Sequence, residues 1–112
     1  MSRSFLKWLC LLTAVVFSSS LWANEAIWID VRSADEFAAG HVPDAVNIPY
    51  TEIESRIGEV TDDKEAVIYV YCRSGRRSGI AQSTLEQAGF TGVVNQGGLA
   101  DARKKAAELA DQ

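Results

Sequence analysis

The apolar run Ala66-Val67-Ile68-Tyr69-Val70-Tyr71 has the character of a β-strand, stops at Cys72, and is followed by a helical pattern from Ser78. The loop between them is Cys72-Arg73-Ser74-Gly75-Arg76-Arg77. The same strand-then-helix alternation runs along the rest of the chain, which implies a parallel sheet with helices on its faces. Ala26 to Val31 reads as a buried strand. Ser33-Ala34-Asp35-Glu36 has capping-box spacing, starting a short helix through Phe37, Ala38 and Ala39 that Gly40 stops. A very short strand is expected at Val46 to Ile48. A second capping box, Thr51-Glu52-Ile53-Glu54, predicts a helix ending at Arg56 or Ile57. Residues 58–65 form a polar, acidic loop. The helix from Ser78 to Ala88 is expected to close on Gly89. A strand at Val93 to Asn95, a turn at Gln96-Gly97-Gly98 and an Ala-rich helix from Ala100 to Ala110 complete the chain. The expected fold class is α/β, a small parallel sheet of about four strands flanked by helices on both faces. Ligands of such sheets bind beyond the strand carboxyl ends. Asp30, Cys72 and Gln96-Gly97-Gly98 all fall there and should share one rim.

The first residues read differently. Arg3 and Lys7 precede the apolar stretch Trp8 to Phe17, which leads through Ser18-Ser19-Ser20-Leu21-Trp22 to the small residue Ala23. A basic start, an apolar middle and a small residue at the end are the parts of a secretory signal. Cleavage after Ala23 leaves Leu21 three residues upstream, less ideal than a second alanine. A helix from Trp8 to Trp22 spans only about 22 Å, short of the roughly 30 Å hydrocarbon core, which disfavours an uncleaved anchor. The expected organisation is a signal at 1–23 and one domain at 24–112, exported, with no stable membrane association after cleavage.

Loss of residues 1–23 changes the inventory. Arg3 and Lys7 are two of the 11 basic residues, so 9 basic side chains stand against 15 acidic ones, a formal net charge of −6. An acidic domain of this kind offers no basic face for nucleic acid. Cys10 leaves with the signal and Cys72 alone remains, unable to form an internal disulfide. A single thiol in an exported chain is a candidate reactive group.

The surroundings of Cys72 favour that chemistry. A strand, a tight loop and a helix N-terminus aim successive backbone N–H groups at one point, the point where the sulfur lies. These dipoles and the nearby arginines are expected to lower the thiol pKa from its usual value of about 8.5 by roughly one to three units. Gly75 permits a turn with positive φ and close backbone approach. Guanidinium forks suit an oxyanion. Sulfur transfer to a thiolate moves no proton in its central step, so no acid or base need stand beside the sulfur. The sulfur must, however, be both ionised and reachable.

These residues resemble the C-x-x-G-x-R-S loop of the rhodaneses, sulfurtransferases that carry sulfur as a cysteine persulfide. The resemblance extends to Asp30-Val31-Arg32, similar to the family's D-V-R segment. It includes Gly40-His41-Val42-Pro43-Asp44-Ala45-Val46-Asn47-Ile48-Pro49, similar to G-H-I-P-x-A-x-N-I-P, and the closing Asn95-Gln96-Gly97-Gly98 turn. The chain resembles the minimal, single-domain periplasmic form, without the strand and helix that many rhodaneses carry before the D-V-R strand. The resemblance implies a rhodanese-like fold and transfer of sulfane sulfur from thiosulfate to cyanide or a thiol acceptor. Cys72 is the implied carrier, with Arg73, Ser74, Gly75, Arg76, Arg77 and Ser78 binding substrate.

Plainer readings stand beside these. Arg77 matches the motif arginine and is preferred as the anion binder, whereas Arg73 and Arg76 stay open between anion contact and ordinary surface. Asp30 and Arg32 are read as a structural hydrogen-bond and ion-pair fixture supporting the site. His41, the single histidine, is read as a brace for the turn before Pro43. One cysteine and one histidine cannot supply the usual three or four ligands, so no metal and no cofactor is expected. Two rival functions are a persulfide carrier that hands sulfur to a partner protein and a cysteine phosphatase or arsenate reductase. The latter use C-x5-R, whereas here the residue six beyond Cys72 is Ser78 and Arg77 is only five beyond.

Overall fold

The computed structural model describes residues 25–112. The segment read as a leader lies outside the described residues. Four strands, β1 (Ile27–Asp30), β2 (Val46–Asn47), β3 (Val67–Cys72) and β4 (Gly92–Gly98), form one parallel sheet in the order β2-β1-β3-β4. Between them lie α1 (Ala34–Ala38), α2 (Ile53–Arg56) with a 3-10 turn on each side, and α3 (Arg76–Gln87). Helix α4 (Leu99–Ala110) follows β4 directly. Among the described residues no helix is long and apolar enough to cross a membrane.

Strand alternation sends successive side chains to opposite faces, and here the two faces carry separate cores. Ile29, Ile68, Val70, Cys72 and Val93 point to the side where Ile53, Ile57, Ala81 and Leu85 of the helical layer pack. Tyr71 points the other way, against Val42 and Ala102, with Trp28, Leu99 and Ala106 around it. In α3 the buried residues Ser78, Ala81 and Leu85 recur at helical spacing. The stripe that packs α3 onto the sheet therefore ends at Ser78, beside the end of β3.

Local chemistry explains most element boundaries. Ser33 caps α1 reciprocally: its Oγ accepts the Glu36 N–H at 3.3 Å and its own N–H donates to Glu36 Oε1 at 3.2 Å. The second expected box does not form. Thr51 lies inside a 3-10 turn, Tyr50–Glu52, opened by the Glu52 N–H to Pro49 carbonyl bond at 2.8 Å, and no side chain caps α2. Helix α3 closes as expected, the Gly89 N–H bonding the Glu86 carbonyl and the Phe90 N–H the Leu85 carbonyl, both at 3.0 Å.

Two boundaries move toward the site. Helix α3 begins at Arg76 rather than Ser78, because Gly75 adopts φ 96° and turns the chain into the helix two residues early. Strand β4 runs through Gln96-Gly97-Gly98 instead of turning there. Val70 pairs with Asn95 but Cys72 pairs with Gly98, so β4 carries one extra residue opposite the end of β3.

Candidate active site

Asp30 and Cys72 end adjacent strands, with Asp30 opposite Tyr71 and Cys72 opposite Gly98, so the expected rim is present. Cys72 is completely buried. The Gly75 N–H donates to Sγ at 2.9 Å and the Ser78 hydroxyl lies 3.4 Å from it. Burial alone would push the thiol up. The Ser78 hydroxyl and backbone N–H, with the N–H groups of Ser74 and Gly75, outweigh that and hold it down to about 7. The site can therefore keep a large thiolate fraction near neutrality. Reach is narrower than the sequence suggests, since the sulfur has no exposed surface of its own and a reactant must enter among these donors.

Gly98, behind the loop, has no room for a side chain. A Cβ on Gly98 would collide with the carbonyl oxygen of Arg73, so the closing glycine lets β4 run directly beneath the cysteine loop. Gly75 packs its Cα side toward Gly97. Loop and turn are one unit built from two distant stretches of sequence.

The arginines divide in an unexpected way. Arg77, the preferred anion binder, already grips a carboxylate: its Nη1 and Nη2 donate to Glu36 Oε1 and Oε2 at 2.8 and 3.0 Å. The Arg77 bonds, helped by Ser33, hold the Glu36 carboxyl down to about 2. The negative charge at Cys72 also raises the Arg77 pKa, though less than Glu36 does. Arg73 and Arg76 are exposed and have no ion-pair partner among the described residues. Ser74 is likewise exposed, Gly75 half-buried and Ser78 buried.

Asp30 and Arg32 form a compact buried pair. Arg32 donates to the carboxylate through Nε at 3.0 and 3.1 Å, through Nη2 at 2.6 Å and through its backbone N–H at 2.9 Å. The same Nη2 bonds the Gly40 carbonyl, and Asn47 Nδ2 bonds the carbonyls of Asp30 and Arg32. The Tyr71 hydroxyl accepts the Val42 N–H at 3.0 Å, and burial pushes its own pKa up to about 12. His41 Nδ1 bonds the Phe37 carbonyl at 2.8 Å while its ring stacks on Phe37, which pins the turn before Pro43.

Comparison with known proteins decides the family. The Rhodanese-like domain profile matches residues 13–105. The chain belongs to the rhodanese family. Its relatives include the thiosulfate sulfurtransferase PspE of Escherichia coli (strain K12), 44% identical over 88 residues covering 79% of this chain and 84% of that protein. A sulfurtransferase of Allochromatium vinosum is 40% identical over 68% of this chain and 70% of its own length. Among solved structures, a rhodanese with anions from E. coli superposes with a TM-score of 0.67 at 43% identity, covering 69% of this chain and 91% of that one. A human single-domain sulfurtransferase superposes with a TM-score of 0.63 at 29% identity over 80% and 90% of the two chains. This rhodanese is thus a member of a sulfurtransferase family, with the expected four-stranded parallel sheet.

Two residues that bond the cysteine loop stand outside the sequence expectations for it. Asn95 stands in the sequence as the end of a short strand and the start of the closing turn, yet its Nδ2 bonds the Gly75 carbonyl at 3.0 Å while its Oδ1 receives the Ser78 hydroxyl at 2.7 Å and the Gly97 N–H at 2.9 Å. The usable signal was alternation: Asn95 lies two residues from Val93 and so faces α3. In the sequence Glu36 marks only a capping box. Its second duty to Arg77 joins positions 41 apart, which no local pattern reveals.

Proposed function

We propose that this rhodanese transfers sulfane sulfur from thiosulfate to cyanide or a thiol acceptor through a persulfide on Cys72. The observation that carries the reading is the convergence of the Gly75 N–H and the Ser78 hydroxyl on a buried Sγ whose pKa is lowered to about 7. The thiolate attacks the outer sulfur of thiosulfate, the S–S bond breaks, and sulfite departs with the bonding electron pair. The new outer sulfur is then taken by the acceptor, which restores the thiolate. Loop N–H groups stabilise the anionic sulfur in both halves of the cycle.

Arg73 and Arg76 take the first contact with the anionic donor, since both are exposed and unpaired among the described residues. Arg77 joins them only if the donor draws it from Glu36. Burial of Sγ favours a small donor. The persulfide extends the reactive atom outward by an S–S bond of about 2.05 Å, toward an acceptor that never has to reach Sγ itself.

Incubating the reduced protein with thiosulfate should add about 32 mass units at Cys72, and Cys72→Ser should take up none and transfer none. Absence of the adduct in the wild type overturns the reading. A persulfide that forms but resists cyanide and dithiols, and leaves only to a partner protein, replaces enzyme with carrier. Aryl phosphate hydrolysis would favour the phosphatase class. We further infer export to the periplasm with removal of residues 1–23, supported by the basic-apolar-small pattern ending at Ala23. The mass of the native protein tests it, since a chain retaining Met1 to Ala23 in the cell contradicts it.

A further inference from the structure

The hydroxyl of Ser78 has more partners than protons. Its oxygen lies 2.7 Å from Asn95 Oδ1 and 3.4 Å from Cys72 Sγ. Neither an amide oxygen nor a thiolate donates a hydrogen, so one hydroxyl proton serves one of them at a time. Ser78 is fully buried. The Asn95 amide is fixed by its other bonds, Nδ2 to the Gly75 carbonyl and Oδ1 from the Gly97 N–H. Flipping it would set donor against donor at Gly97 and acceptor against acceptor at Gly75, so Oδ1 is the atom that faces Ser78.

We propose that Asn95 is a positioning residue for the sulfur chemistry: its Oδ1 holds the Ser78 hydroxyl proton while Sγ is uncharged, and releases it to Sγ when the sulfur becomes anionic. The hydroxyl rotates about its Cβ–Oγ bond. No covalent bond changes and no proton leaves the site. The idea rests on the sulfur-transfer reading above, in which Sγ alternates between two charge states. It is uncharged as a thiol and as the inner sulfur of the persulfide, and anionic before attack and again when the acceptor removes the outer sulfur. A donor that follows the charge stabilises Sγ as a leaving group without equally stabilising the persulfide from which it leaves.

Titration of the thiolate by its ultraviolet absorbance, on reduced protein without any sulfur donor, separates this from a merely structural role. Other charged groups around the loop are Arg73, Arg76, Arg77 with Glu36, and Asp101 of α4, whose Oδ2 accepts the Gly98 N–H. All are common to every variant compared. Ser78→Ala should raise the Cys72 pKa by about one to two units, the worth of a hydrogen bond to a charged group. Asn95→Ala removes the competitor for the proton and should lower the pKa, with no effect in the Ser78→Ala background. If Asn95→Ala raises the pKa, leaves it unmoved, or shifts it equally in both backgrounds, Asn95 only holds the loop and the proposal is wrong. Should Asn95→Ala fail to fold, Asn95→Asp keeps the size and the acceptor. Its rise in pKa should be larger with Ser78 present than absent, and equal rises overturn the proposal. Because no sulfur donor is present, failure here leaves the persulfide test standing, and failure of that test leaves this coupling measurable.

Discussion

Two neighbouring strands end in buried ionisable atoms, and the fold treats them in opposite ways. At the end of β1, Asp30 is met by a whole guanidinium, whose Nε and Nη2 reach both carboxylate oxygens. At the end of β3, Cys72 is met by N–H and O–H dipoles at 2.9 and 3.4 Å. A full counter-charge cancels its partner and leaves an inert pair. Dipoles lower the energy of an anion without neutralising it, so the sulfur stays a nucleophile. The same sheet edge thus holds a brace and a reactive atom a strand apart. The difference lies in the residues just beyond each strand end: Arg32 two positions past Asp30, and a glycine-led helix start past Cys72.

The largest expected effect tests the brace. Asp30→Ala leaves Arg32 charged and buried without its partner, and should cost about 3–5 kcal/mol of stability in urea unfolding. The double variant Asp30→Leu/Arg32→Met removes both charges and should recover most of that loss. Cys72→Ser, measured below pH 7, should stay within about 1 kcal/mol of wild type, because a hydroxyl can occupy the same donors. An Asp30→Ala protein as stable as Cys72→Ser would erase the distinction between the two strand ends.

That distinction was partly visible in the sequence. The apolar runs ending at Asp30 and Cys72, the Ser33 capping box and the Gly89 helix stop are local patterns, and the structure follows them. The placement of the strand ends on one rim followed from the strand-helix alternation, whereas the strand order did not. The early start of α3 was hidden because Arg76 and Arg77 look like loop residues until Gly75 is known to be left-handed. The length of β4 was hidden because Gln96-Gly97-Gly98 has turn chemistry. In place, Gly98 is a strand residue whose missing side chain lets the Arg73 carbonyl approach. Arg77 shows the deeper limit. Its motif position is legible, but its occupancy by Glu36 depends on α1 lying against the loop, a tertiary fact.

A sharper measurement compares pH dependence. The Cys72 thiol sits at about 7 in the fold against an ordinary value of about 8.5. A depressed pKa contributes stability that is fully present above the unfolded value and is lost as pH falls through the folded one. Wild type should therefore gain about 2 kcal/mol on Cys72→Ser between pH 6 and pH 9.5 in urea unfolding. Persulfide formation from thiosulfate should rise through pH 7 and level off above it. A stability gap that does not grow with pH would mean the dipoles do not hold the thiolate, and the contrast with Asp30 would lose its physical basis.

The smallest effect concerns Glu36, which stands between the two modes: an ion pair like that of Asp30, but at the mouth of the cysteine loop. Its carboxyl is held down to about 2 against an ordinary 4.5, first by Arg77 and then by Ser33. The sign is the same as for any depressed acid, so the contribution is present above about pH 4.5 and drains away as pH falls toward 2. The side chain is 28% exposed, so solvent screening reduces the full linkage to about 1 kcal/mol. Urea unfolding should place Glu36→Gln about 1 kcal/mol below wild type at pH 6, with less than half of that gap left at pH 3. A gap that persists unchanged at pH 3 would mean that Glu36 stabilises α1 through its uncharged cap alone, and that Arg77 is free for anions after all.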